Sequence, residues 1–202
     1  GLFVEGRFLH PGLDLWMRFP EGWETHNARE YVVALTSGDQ VFVALHVAAQ
    51  GDDPVAAARA DGVSEEADLE RLEIAGLPAA RLSVEGPDQS LLVVWIARNG
   101  LVYRITGASP AGEFETWQPQ FMAVAGSVRP LTPGDRQLLV AERLRIREAQ
   151  AGETLAELVA RSTSAWSPER AAIANGLEPE VRLEAGQRVK LAIPELWTGG
   201  RR

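Results

Sequence analysis

Asn99-Gly100 lies between two apolar runs, residues 90–98 and 101–107. A two-residue connection between antiparallel strands needs positive φ at both central positions, and Asn-Gly tolerates that conformation. The pattern therefore predicts a β-hairpin, and residues 82–85 pair with its start to extend a meander. Upstream, residues 30–35 and 41–48 flank Thr36-Ser37-Gly38-Asp39, which predicts a second hairpin with a loop of four or more residues. A short apolar run over residues 13–19 stops at Pro20-Glu21-Gly22. Two helices interrupt the strands. One covers Pro54–Ala60 and the other residues 112–128, where Phe114, Trp117, Phe121 and Val124 recur at steps of three or four. This order implies an α+β fold, an antiparallel sheet with helices on one side.

Charge divides the chain. Residues 1–130 carry 18 acids and 9 bases, a net of −9, whereas residues 131–202 carry 10 acids and 11 bases, a net of +1. The turn-rich Pro130-Leu131-Thr132-Pro133-Gly134-Asp135 sits at the change. The expected organisation is a sheet domain over 1–130, a linker over 131–143 with a short helix at 134–142, a second domain over 144–197 and a tail over 198–202. The basic Arg201-Arg202 end after Gly199-Gly200 reads as a frayed tail. At 202 residues with a net charge of −8, the chain has no basic footprint for nucleic acid or anionic lipid. No run approaches the roughly 20 apolar residues of a membrane-spanning helix. Cysteine is absent, so disulfides and thiolate zinc sites are excluded. The chain opens on Gly1 rather than Met, as a processed chain or a piece of a longer protein does.

The second domain has a different order. Residues 144–148 alternate apolar and charged, as a strand with one exposed face does. Gly152-Glu153 makes a turn. Thr154 caps a helix over 155–162, and Glu157 completes a capping box. Ser167-Pro168 opens a second helix ending at Asn175-Gly176. A turn at 183–187 leads to a last strand over 188–193. The order is strand, helix, helix, strand.

Gly152-Glu153-Thr154-Leu155, Ala160, Asn175-Gly176-Leu177, Leu183, Ala185-Gly186-Gln187, Val189 and Ile193-Pro194 together resemble the LysM module, with Glu153 in place of the family's usual Asp. That resemblance implies a βααβ fold and binding of N-acetylglucosamine polymers such as peptidoglycan. The matching glycan positions are Gly152, Glu153, Thr154 and Leu155 on one side and Asn175, Gly176 and Leu177 on the other. Gly, Thr and Asn also have capping roles at such places. Phe8-Leu9-His10-Pro11-Gly12-Leu13, Phe19-Pro20-Glu21-Gly22-Trp23 and Ser127-Val128-Arg129-Pro130-Leu131 resemble PsbP-like α/β/α sandwich domains. The two together resemble the C-terminal half of bacterial zinc metalloproteases of the HtpX and CAAX-prenyl-protease family, in a periplasmic or cell-envelope branch.

The catalytic half of such a protease carries HExxH on a helix, and that motif is absent here. The chain itself is thus expected to have no catalytic residues, no metal ligands and no cofactor, with zinc confined to the other half. The expected partners are that protease half, a protein substrate or an envelope complex, and peptidoglycan. The rival readings are a stand-alone wall-binding protein and a PsbP-type ligand-binding or assembly factor. His10 reads as a turn residue, and His26 and His46 as structural residues; none stands at i, i+4 spacing. The run Glu65-Glu66-Asp68-Glu70 reads as a solvated face. Ser83, Ser90 and Ser127 lack a nucleophile elbow, and Gly-rich phosphate loops are missing. Of the six tryptophans, Trp16, Trp23, Trp95 and Trp117 are expected in the core, and Trp166 and Trp197 exposed.

Overall fold

A computed structural model describes every residue except Asp39, Thr198, Gly200, Arg201 and Arg202. The loop expected through Asp39 and the tail expected at Arg201-Arg202 lie in part or wholly outside the described residues. Two units divide the chain, Gly1–Thr132 and Pro133–Arg202.

In the first unit, Asn99 and Gly100 take φ of 54° and 73° and join strands Gln89–Arg98 and Leu101–Pro110. Numbered along the chain, the strands are β1 Leu2–Val4, β2 Arg7–His10, β3 Leu15–Arg18, β4 Glu24–Asn27, β5 Tyr31–Leu35, β6 Phe42–Gln50, β7 Glu70–Ile74, β8 Leu77–Glu85, β9 Gln89–Arg98 and β10 Leu101–Pro110. Helix α1 is Pro54–Ala60 and α2 is Phe114–Gly126. Strands β1-β2-β3 form a small sheet, and the order β4-β5-β6-β10-β9-β8-β7 forms a seven-stranded one. Every pairing is antiparallel.

The helices do not share one side of the large sheet, which corrects the single-sided expectation. Along β9, Leu92, Val94 and Ile96 pack with Phe114, Phe121 and Val124 of α2, and with Phe8 and Met17 of the small sheet. The alternate residues Val93, Trp95 and Ala97 pack with Ala57 and Ala58 of α1. A strand buried on both faces has no reason to alternate, and Leu91 to Ala97 is an unbroken apolar run. Gly107 faces the Phe121 ring so closely that a Cβ there would lie 2.3 Å from a ring carbon. Asp53 caps α1, accepting from the Val55 and Ala56 amides at 2.8 and 3.2 Å.

The C-terminal end of this unit is tied to the small sheet. Trp16 and Arg129 exchange two backbone hydrogen bonds, the Arg18 amide donates to Ser127 Oγ, and the Leu131 amide donates to Asp14 Oδ1. Asp14 also takes the buried Arg98 guanidinium at 2.7 Å.

The second unit contains α3 Pro133–Gln137, β11 Val140–Glu148, α4 Leu155–Arg161, α5 Pro168–Asn175 and β12 Arg188–Leu196. The helix expected over 134–142 is therefore shorter, and residues 140–143 are strand rather than linker, paired with the far end of β12 from Val140↔Leu196 onward. Pro194 sits within β12, where a two-stranded sheet leaves an edge that needs no amide donor. Leu155, Leu158, Val159, Ala171 and Ala172 cover Val189, Leu191 and Ile193 on one face of that sheet. Among the described residues, no helix is long and apolar enough to cross a membrane.

Candidate functional site

The seven residues matched to a glycan site are all in the second unit, and each has a structural occupation. Gly152 takes φ of 73° in the turn that leads into α4. Glu153 accepts from Arg161 Nε and Nη2 at 2.7 and 2.9 Å and from the Gln150 amide at 2.9 Å. Thr154 caps α4: its Oγ1 accepts from the Glu157 amide at 3.2 Å, and its own amide donates to Glu157 Oε2 at 2.7 Å. Leu155 is fully buried. Asn175 donates to the Ala171 and Lys190 carbonyls at 2.8 Å each and accepts from the Lys190 amide at 2.8 Å, clamping the end of α5 to β12. Gly176 is the left-handed residue that ends α5, and Leu177 packs partly against the core.

The turn at 152–155 is laced to residues 181–183. The Leu155 amide donates to the Val181 carbonyl at 3.2 Å, the Leu183 amide to the Glu153 carbonyl at 2.8 Å, and Arg182 Nη1 to the Gly152 carbonyl at 3.0 Å. No hydrogen bond links residues 152–155 to residues 175–177 among the described residues.

These carboxylates carry a pH dependence. Arg161 first, then the Gln150 amide, holds the Glu153 carboxyl below its ordinary value. Hydrogen bonds from Thr154 do the same for Glu157, and Arg145 does so for Glu195. A carboxyl depressed in the folded state contributes stability above the unfolded pKa of about 4.3, and that contribution is lost as pH falls through the folded value. Acid titration followed by NMR is expected to hold the second-unit fold at pH 6 and to loosen the 152–161 capping region below about pH 4. A capping region equally ordered at pH 2 and 6 would contradict this.

In the first unit, His10 Nδ1 accepts from the Leu13 amide at 3.1 Å, which is a turn role. His26 lies 3.1 Å from Glu24 on an exposed strand. His46 belongs to a cross-strand row that sequence reading missed: Tyr31, His46, Arg104 and Trp95 stand side by side on β5, β6, β10 and β9. Asp61 joins the row, accepting from Trp95 Nε1 at 2.7 Å and lying 3.2 Å from Arg104. Burial, then Arg104, pushes the His46 pKa down against Asp61 and Glu30, so the imidazole is neutral at neutral pH. A cleft of about 640 Å³ lies elsewhere on this unit, lined by Phe3, Arg7, Trp16, Arg18, Phe19 and Trp23 among others. In the acidic run, Glu65 lies 3.4 Å from Arg59, and Glu70 pairs with Arg81 across the β7–β8 ladder. No three His, Asp or Glu side chains among the described residues converge as a metal site.

No family model and no curated protein matches the sequence. Solved structures do match. A crystal structure from Bacteroides thetaiotaomicron VPI-5482 is 10% identical with a TM-score of 0.49, over 73% of this chain and 55% of that one. The present chain thus spans about half the length of that structure. Cyanobacterial PsbP (CyanoP) from Synechocystis sp. PCC 6803 is 13% identical with a TM-score of 0.46, over 65% of this chain and 96% of that one. LpqN, involved in cell envelope biogenesis of Mycobacterium tuberculosis, is 10% identical with a TM-score of 0.35, over 57% and 83%.

The tryptophans expected to be exposed are half-buried. Trp166 packs against the second core with Arg170 5.4 Å from its ring, and Trp197 donates its amide to the Leu139 carbonyl at 2.7 Å. Among the described residues, the exposed large apolar groups of this unit are instead aliphatic: Leu138, Val140, Leu144 and Ile146 at and along β11, Ile173 of α5 and Leu196 of β12.

Proposed function

We propose that the chain is a non-catalytic accessory region of a cell-envelope zinc metalloprotease, and that its βααβ unit positions the protease by touching protein. The zinc and its HExxH helix would belong to the catalytic half of that polypeptide. The motif resemblance of both units supports the parent. One observation carries the choice of protein over glycan: the side-chain polar atoms of Glu153, Thr154 and Asn175 are engaged within the fold. A sugar hydroxyl would have to compete with these bonds, and binding that merely exchanges one hydrogen bond for another gains little.

Sedimentation with purified peptidoglycan tests this. The chain is expected to stay in the supernatant. Retention that disappears in a folded Thr154→Ala, Asn175→Ala double variant would instead make the unit a wall anchor. The lacing of residues 152–155 to 181–183 favours that second reading, because it sets two loops side by side.

A further inference from the structure

We propose that the outer edge of β11 receives an extended acidic segment of a partner protein, which adds a third strand to the two-stranded sheet. The proposal rests on the reading that this unit contacts protein, and it names the surface and the chemistry of what docks there.

Among the described residues, β11 pairs only with β12, and no backbone–backbone hydrogen bond leaves residues 141–148 in the other direction. A nine-residue strand with an unpaired edge is a template for main-chain pairing. Its two faces differ. Opposed residues of an antiparallel pair share a face, so Arg143, Arg145 and Arg147 stand with Ile193, Leu191 and Val189 on the helix side. The outer side carries Leu144, 58% exposed, and Ile146, 49% exposed, next to Ala192 and Lys190.

The guanidiniums outnumber their carboxylates. Arg145 reaches Glu195, whose pKa is lowered further by Arg143 and Arg147. Among the described residues, Arg143 and Arg147 themselves make no ion pair. A strand alternating acidic and apolar residues fits both faces at once. Its carboxylates would stand beside Arg143 and Arg147, and its apolar residues would extend the Leu144–Ile146 stripe.

A second copy of β11 does not fit. Antiparallel self-pairing about Leu144 sets Arg143 opposite Arg145, and directly opposed like charges are unfavourable. Inward charges of this kind block edge-to-edge association. They leave the edge open to a strand of opposite sign.

The test uses the full chain and two fluorescent, capped octapeptides, one alternating Glu and Val, the other Lys and Val. Anisotropy titration is expected to show at least tenfold tighter binding of the acidic peptide. Alternate amides across 140–148 should gain hydrogen-exchange protection in its presence. An Arg143→Glu, Arg147→Glu variant, checked for fold by circular dichroism, should reverse the preference. Equal binding of the two peptides, absence of binding, unchanged exchange in β11, or a concentration-dependent dimer of the chain would each overturn the proposal. Absence of peptide binding in a chain that also ignores peptidoglycan removes the acidic strand alone. Retention on peptidoglycan removes the protein-contact reading beneath it.

Discussion

Phe121→Ala is expected to destabilise the first unit by about 3–5 kcal/mol, read as a lower urea midpoint in tryptophan fluorescence with little change in slope. The ring is 1% exposed at the centre of the cluster formed by α2, the large sheet and the small sheet. Truncation removes its transfer free energy and leaves a cavity whose floor is Gly107, a residue with no side chain to relax into it. The converse change probes the same contact. Gly107→Ala places a methyl against the ring and should cost about 1–3 kcal/mol, because the sheet backbone on one side and the packed helix on the other leave nowhere to move. A Gly107→Ala chain with wild-type stability would show that α2 can shift away from β10.

The second large effect concerns charge. Asp14→Ala is expected to cost about 2–4 kcal/mol, below the full penalty for breaking a buried pair because the Asp14 side chain is one-third exposed. Arg98 is 6% exposed, so losing its carboxylate leaves the guanidinium in the protein with only the Leu13 and Asp14 carbonyls as partners. Asp14 also accepts from the Leu131 amide, and its φ of 49° suits Asp or Asn better than Ala. Asp14→Asn keeps the shape and the turn while removing the charge, so the difference between the two variants separates backbone strain from the ion pair. If both melt with the wild type, the Arg98 guanidinium is solvated rather than paired.

Legibility from sequence tracked how local the determining physics is. The Asn99-Gly100 turn, the Thr154 cap and the left-handed Gly176 are each fixed within a few residues, and they stand where the pattern put them. Strands β1, β2, β4 and β7 were missed because three to five residues show too little alternation to register. Pairing with β12 extends β11 back to Val140 through a contact some 50 residues distant, which no local turn residue announces.

The candidate site was harder for the same reason. Asn175 matches a sugar-site position only through the motif resemblance, and its amide is spent on Lys190, 15 residues away. The His46 row depends on the register of four strands, and no spacing in the sequence encodes it. The arginines of β11 were visible as alternation, but the structure reverses their sides. The arginine face lies with the helices, and Leu144 and Ile146, flanked by Glu142 and Glu148, lie outward, because Leu191 and Val189 take the covered positions on β12.

The tie between residues 127–131 and the small sheet gives the first unit a mechanical polarity. Tension applied from the C-terminal side meets Ser127, Arg129 and Leu131 before it reaches α2. Their anchors are backbone groups of β3 and the carboxylate of Asp14, spaced along one seam rather than at one point. A pull is therefore shared by bonds that must fail in concert or in quick succession, and the helix behind them is shielded until they do. Under load from the C-terminal side, this seam is the fuse that sets how much the fold bears before it yields.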